Sequence, residues 1–175
     1  MKPVVPDVDE AVATLADPCN DGVCRERLCG RMKAELRSFR FLAEEELDEV
    51  AGYFECRQVR AGQYLWREGE RGRFAAFVIS GRVEVSKLTE FGGNPIVVGV
   101  YSRGALVGEL ALLEDAPRSE SALALDHVDL ILLSAQSLAR MLDERPRLAA
   151  RLLKGMLLTV ARRLSRAHER LAAIF

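Results

Sequence analysis

The chain has 175 residues, 49 % of them apolar and 29 % charged, with a formal net charge of −1 at neutral pH. That length suits one domain of roughly 100–150 residues with appendages. The composition excludes wholesale disorder, and the balanced charge excludes a global field for nucleic acid.

Residues 1–35 form an irregular, cysteine-containing extension broken by Pro3, Pro6, Pro18 and the turn signal Cys19-Asn20-Asp21-Gly22. Its opening, Met1-Lys2-Pro3-Val4-Val5-Pro6-Asp7, lacks the apolar core of a secretory signal. No apolar run in the chain approaches the ~20 residues of a membrane helix. Together these predict a cytoplasmic protein without a membrane partner. From about Val23 onward, Leu28, Met32 and Leu36 share one side of a predicted short helix. A clearer helix lies in Leu42–Phe54, where Leu47, Val50, Ala51 and Phe54 make one stripe. Its acidic residues sit early, where the helix dipole favours them.

From Cys56 to about Leu133 the texture changes to short apolar or alternating runs punctuated by glycines. The runs are 63–66, 77–80, 83–86, 96–101, 122–125 and 128–133. Strands recurring about every ten residues, with no crossover helices between them, predict an all-β sandwich or barrel. This places a β-domain over residues 36–142 and a helical segment over 143–175. Ala135–Leu142 reads as a short helix, and Pro146 suits the first turn of a new one. Beyond Leu148 only Gly155 interrupts a run of helix formers, so a helix of about 45 Å is expected. Leu153, Leu157, Val160, Leu164, Ala167, Leu171 and Ile174 repeat at heptad spacing, and Leu148, Leu152 and Met156 form a shorter neighbouring stripe. Two stripes of unequal length predict two partners. The near half docks on the barrel, and the 148–175 helix pairs with a second copy as a homodimer.

Chemistry concentrates in Gly104–Ser121. Gly108 permits close backbone approach of a ligand, and Leu110-Ala111-Leu112-Leu113 can make one helical turn with free N–H groups at its start. Arg118, on the first residues of a predicted strand, can close an anion site with a planar guanidinium. Glu109 beside an anion makes sense if it accepts hydrogen bonds from a hydroxyl pair, such as a ribose. The run Gly108-Glu109-Leu110-Ala111-Leu112, with Pro117-Arg118-Ser119 after it, resembles the phosphate-binding cassette of cyclic-nucleotide-binding domains. These occur in catabolite-activator-type regulators, protein kinase regulatory subunits and cyclic-nucleotide-gated channels, and the resemblance spans about residues 38–175, including Gly62, Gly69 and Gly81.

The resemblance implies a mainly β fold with flanking helices: a double-stranded β-helix (jelly-roll) barrel followed by a long C-terminal helix. It implies a ligand, cAMP or cGMP, and no catalytic cofactor. Arg118 would bind the exocyclic phosphate oxygens, helped by the N–H groups of Ala111 and Ser119 and the Ser119 hydroxyl. Glu109 would accept the ribose 2′-hydroxyl, Gly108 would let the sugar approach, and Leu110 belongs to the same cassette. The base would contact the long helix at Arg163 and Leu164, where an arginine is similar to the base cap of channel-type domains rather than to the small hydroxyl residues of the catabolite-activator type. Glu120 departs from the usual alanine, and strand alternation predicts that it points away from the ligand.

Three other functions are weighed against this one. Oxygen-sensing relatives of the FNR type hold an iron–sulfur cluster on N-terminal cysteines, and Cys19, Cys24 and Cys29, with Cys56 as a fourth, lie in a similar place. Cys24 and Cys29 on one helix point about 140° apart, a poor chelating geometry, so free thiols and no metal are expected. Transcriptional relatives carry a helix-turn-helix after the long helix, which this sequence lacks. DNA is therefore not an expected partner, the basic residues from Arg145 to Arg170 read as a solvated helix face, and an unidentified downstream protein would receive the signal. A Crp/Fnr-like relative that has lost ligand binding is the remaining alternative. His127 and His168 have no nucleophile at a recognisable spacing, so no enzyme is predicted.

Overall fold

A computed structural model describes residues 42–89, 93–114 and 116–173. The extension with Cys19, Cys24 and Cys29, the predicted helix beyond Val23, and Ile174 lie outside these residues. The elements in order are α1 (Glu44–Ala51), β1 (Glu55–Val59), β2 (Tyr64–Trp66), β3 (Phe74–Ser80), β4 (Arg82–Leu88), β5 (Pro95–Ser102) and β6 (Leu106–Val107). They continue with α2 (Glu109–Leu113), β7 (Ser121–Ala124), β8 (Val128–Ser134), α3 (Ala135–Glu144) and α4 (Pro146–Ala172).

Two antiparallel four-stranded sheets, ordered β1-β8-β3-β6 and β2-β7-β4-β5, make the jelly-roll barrel that the sequence predicts. The apolar runs of β3 and β8 are continuous because both faces are covered. Phe74, Ala76, Val78, Val128, Leu130 and Leu132 fill the space between the sheets. Their neighbours Ala75, Phe77, Ile79, Ile131 and Leu133 face α1, α3 and α4. One corner where the chain changes sheets is held by Gly81 (φ 79°), whose added Cβ would stand 2.4 Å from the His127 carbonyl oxygen. There Arg82 grips Asp126 through Nε and Nη2 at 2.7 and 2.9 Å. Strands β1 and β6 escape the sequence pattern. The first is only partly buried, and the second has just two residues.

The helices close the open face of the first sheet. Helix α1 starts with the Ala43 N–H donating to Glu46 Oε2 at 2.8 Å. Helix α3 starts with the Ser137 N–H donating to Ser134 Oγ at 3.0 Å, and it runs two residues past the predicted Leu142. Pro146 opens α4, a helix of 27 residues. Leu148, Ala149, Leu152 and Met156 are buried in the helix-facing core, and Leu153 and Val160 pack at its edge. Ion pairs Arg151–Glu46 and Arg145–Glu49 tie α4 and its N-cap to α1. The second half leaves the core: Leu157, Leu164 and Leu171 are 68, 55 and 57 % exposed. The seam is thus split, with Leu153 and Val160 turned partly to the chain's own core. Among the described residues no helix is long and apolar enough to cross a membrane.

Leu152→Ala, which empties a fully buried site under α4, is expected to cost about 2–5 kcal/mol in urea unfolding. A loss under about 0.5 kcal/mol would mean that the first half of α4 does not dock as described.

Candidate functional site

The pairing of β6 with β3, Ala76 opposite Val107 and Phe77 opposite Leu106, fixes where the chain leaves the sheet. Gly108 follows at once with φ 72° and ψ 22°, a left-handed conformation that glycine tolerates without a Cβ penalty. It turns the chain into α2, a single short helix of five residues with Ala111 and Leu112 buried and Leu110 and Leu113 outward. A Cβ on Gly108 would lie 2.5 Å from Arg118 Nη1 and 2.9 Å from the Trp66 ring. This glycine is required both by its backbone and by what presses against it.

Arg118 lies in the loop before β7, not on the predicted strand, which begins only at Ser121. Its backbone is pinned on both sides to the 69–70 turn: its N–H donates to the Glu70 carbonyl and its carbonyl accepts from the Gly69 N–H, each at 2.8 Å. The side chain turns inward and is only 3 % exposed. Its guanidinium carbon stands 3.9 Å from the Trp66 ring centre and 4.3 Å from that of Phe74. Those rings meet edge to face at 5.6 Å, so the cation is wedged against an aromatic corner. Nη1 donates to the Gly108 carbonyl at 3.1 Å, while Nε and Nη2 are buried without a hydrogen-bond partner. Burial pulls the group down to about 10, partly opposed by the Glu70 carboxylate. It remains a cation at neutral pH, in a place where cations are costly without an acceptor.

A cavity of about 620 Å³ opens beside this guanidinium, a size that suits a small organic ligand. Gly108, Glu109, Leu110, Ala111, Arg118, Ser119 and Arg163, the residues predicted from sequence, all line it. Trp66, Tyr101 and the α4 residues Leu153, Met156, Leu157 and Val160 complete the wall. Leu164, expected next to the base, is not among the lining residues. The α4 residues belong to the two apolar stripes read on the long helix, whereas no motif marked Trp66 or Tyr101 as part of the site.

Two predicted geometries differ. Glu109 is not free: it accepts a hydrogen bond from Arg163 Nη1 at 3.2 Å, with both side chains partly buried. Arg163 also donates to the Leu106 carbonyl and stacks 4.5 Å from the Tyr101 ring centre. The second half of α4 is thereby fastened to the mouth of the cavity. Glu120 also departs from expectation. Residues 119–120 form a bend rather than a strand, so alternation does not apply, and Glu120 lines the cavity beside Ser119. Burial, then the carboxylate of Glu109, push its carboxyl above the usual range.

The site offers a buried cation, a hydroxyl at Ser119, a carboxylate at Glu109 and an apolar wall from α4. That set suits an anionic ligand bearing hydroxyls and a flat apolar part. Cys56 lies in β1, and among the described residues no group of three His, Cys, Asp or Glu side chains is placed to hold a metal.

Residues 56–145 match the family model described as the cyclic nucleotide-binding domain. The chain is similar to the cyclic AMP receptor protein of Thermus thermophilus, 33 % identical over 111 residues, covering 63 % of this chain and 51 % of that one. It is similar also to the cAMP-dependent protein kinase regulatory subunit of Mycosarcoma maydis, 34 % identical over 105 residues, covering 60 % and 20 %. The matched stretches thus span about half or less of those curated relatives. The fold matches a cyclic nucleotide-binding domain from Methylobacillus flagellatus KT with a TM-score of 0.75 at 23 % identity, over 86 % of this chain and 84 % of that one. With the family model matched across strands, cassette and α3, this chain belongs to the cyclic nucleotide-binding domain family.

Proposed function

We propose that this domain senses a cyclic purine mononucleotide, cAMP or cGMP, and passes the signal on through α4. The observation that carries this reading is Arg118, an inward-turned guanidinium with two buried donors that have no acceptor. A cyclic phosphate supplies those acceptors and offsets the burial of the charge, a strong interaction because both partners are ionised. The Ser119 hydroxyl reaches the same group, Glu109 takes the ribose hydroxyls, and the base lies against Met156, Leu157 and Val160. The names of the relatives, a cyclic AMP receptor and a cAMP-dependent kinase subunit, support the ligand class.

The Arg163–Glu109 pair supplies a route from site to helix. A ribose that bonds to Glu109 competes with Arg163 for the same carboxylate. Ligand binding then favours an arrangement in which the second half of α4 is released from the cavity mouth. Such a shift has the size of the ligand's differential affinity for the two helix positions and no more. Released or not, α4 presents Leu157, Leu164 and Leu171 seven residues apart on one side, the repeat that a coiled-coil partner reads. A second copy of the chain is the partner that fits, and an unidentified protein receives the output. No catalytic step is assigned to the domain.

A cyclic mononucleotide of about 22 heavy atoms, at ~0.3 kcal/mol per atom, is expected to bind near 10 μM. In calorimetry with cAMP and cGMP, Arg118→Ala should lose about 2–5 kcal/mol, thirtyfold or more; unchanged affinity would remove Arg118 from the site. Trp66 is the only tryptophan and touches Arg118, so its emission should change with the same saturation curve, and a silent Trp66 would place the ligand elsewhere. In sedimentation, the chain is expected to be a dimer that Leu157→Glu with Leu164→Glu converts to a monomer. A wild-type monomer at tens of micromolar would end the pairing proposal.

A further inference from the structure

We propose that Glu120 makes the cavity take up its anion together with a proton, so that the affinity of the site for a cyclic phosphate is set by pH. The inference rests on the cyclic-nucleotide reading above and assigns to Glu120 the pH dependence of that site. It starts from position. Glu120 stands in the bend between Arg118 and β7, and its side chain lines the cavity that Arg118 and Ser119 also line. It is half-buried and makes no hydrogen bond or ion pair among the described residues. The Arg118 donors nearby remain unfilled, so this carboxylate is not the counterion of that guanidinium. It is a second charge, of the wrong sign for the ligand.

The groups that act on Glu120 come from every element around it. The carboxylates of Glu109 on α2 and of Glu68 after β2 oppose its ionisation, and the cations of Lys87 on β4 and Arg163 on α4 favour it. Arg163 is already engaged by Glu109 and the Leu106 carbonyl. Lys87 is exposed to solvent. Burial and two like charges therefore outweigh the cations, and the carboxyl is held above its ordinary 4.5 before any ligand arrives. A bound phosphate monoanion adds another negative charge to the same cavity and raises it further.

The sign follows from linkage. The bound state holds more protons than the free state between the two pKa values, so affinity rises as pH falls through that window. The slope approaches tenfold per pH unit inside the window and levels off below it. The cyclic phosphodiester keeps its single charge throughout, so the ligand contributes no titration of its own. A protonated Glu120 also becomes a donor facing the phosphate, which converts a repulsive group into a hydrogen-bonding one.

The test is calorimetry of cAMP and of cGMP binding from pH 4.5 to 8.5, repeated in buffers of different ionisation enthalpy so that protons taken up are counted. The wild-type domain should bind more tightly at low pH and absorb a fraction of a proton per ligand within the window between the free and bound pKa values. Glu120→Gln, which keeps the shape and mimics the protonated acid, should bind with one affinity at all pH values and absorb none. Glu120→Ala should give the same flat profile if the glutamine variant does not fold. A wild-type profile without slope or proton uptake overturns the inference while leaving the ligand reading intact. A slope that persists in both variants places the proton on another group and overturns it equally. No binding by the wild type or either variant at any pH sinks the ligand reading, and this inference with it.

Discussion

A guanidinium held away from water with two of its donor nitrogens unfilled is the constraint around which this domain is arranged. Arg118 is buried, stacked against Trp66 and Phe74, and satisfied at only one of its donor nitrogens. A fold that hides a cation in this way gives up stability unless something anionic arrives. Much of the neighbouring architecture follows from holding that cation still. Gly108 has no Cβ because Arg118 and Trp66 occupy the place where one would be. The 69–70 turn clamps the Arg118 backbone from both sides. The doubly covered strand β3 supplies Phe74 and, through its pairing with β6, aims α2 at the cavity.

The second theme is competition for one carboxylate. Glu109 bonds to Arg163 across 54 residues of chain, joining the cassette to the long helix. The first half of α4 is locked into the core by Leu148, Leu152 and Met156, so it cannot respond. The second half rests on Tyr101 and on the Arg163–Glu109 contact, and its outward leucines are exposed. Few buried contacts make a segment easy to move, and α4 passes from buried to exposed within the stretch Leu153 to Arg163 that lines the cavity. In the proposed reading, binding energy spent on Glu109 is directed at the part of the helix able to shift rather than dispersed through the barrel.

The parts legible in the sequence were those with a local signature. The cassette residues Gly108 to Ala111 and Arg118 with Ser119 are contiguous or nearly so, and all of them line one cavity. The β3 and β8 runs are visible because burial on both faces leaves Phe74 to Ile79 and Leu130 to Leu133 unbroken by polar residues. Strand β1 was missed because only Val59 is fully buried, and β6 because two residues have no period to read. The orientation of Glu120 does not follow from strand alternation, because β7 begins at Ser121, one residue too late to govern it. The Arg163–Glu109 pair was hidden because long-range ion pairs follow from the docking of α4 on the barrel, which no local spacing encodes.

The central claim concerns a single side chain and is tested most directly by nitrogen-15 spectra of the arginine side chains, recorded near pH 6 during a titration with cAMP and with cGMP. One Nε–H, assigned to Arg118 by its loss in Arg118→Lys, should resist solvent exchange in the free domain because it is buried. It should move downfield as the phosphate accepts its hydrogen bond, saturating at one ligand per chain. An Arg118 Nε–H that exchanges freely with water, or that stays in place while either nucleotide saturates the domain, would contradict the account.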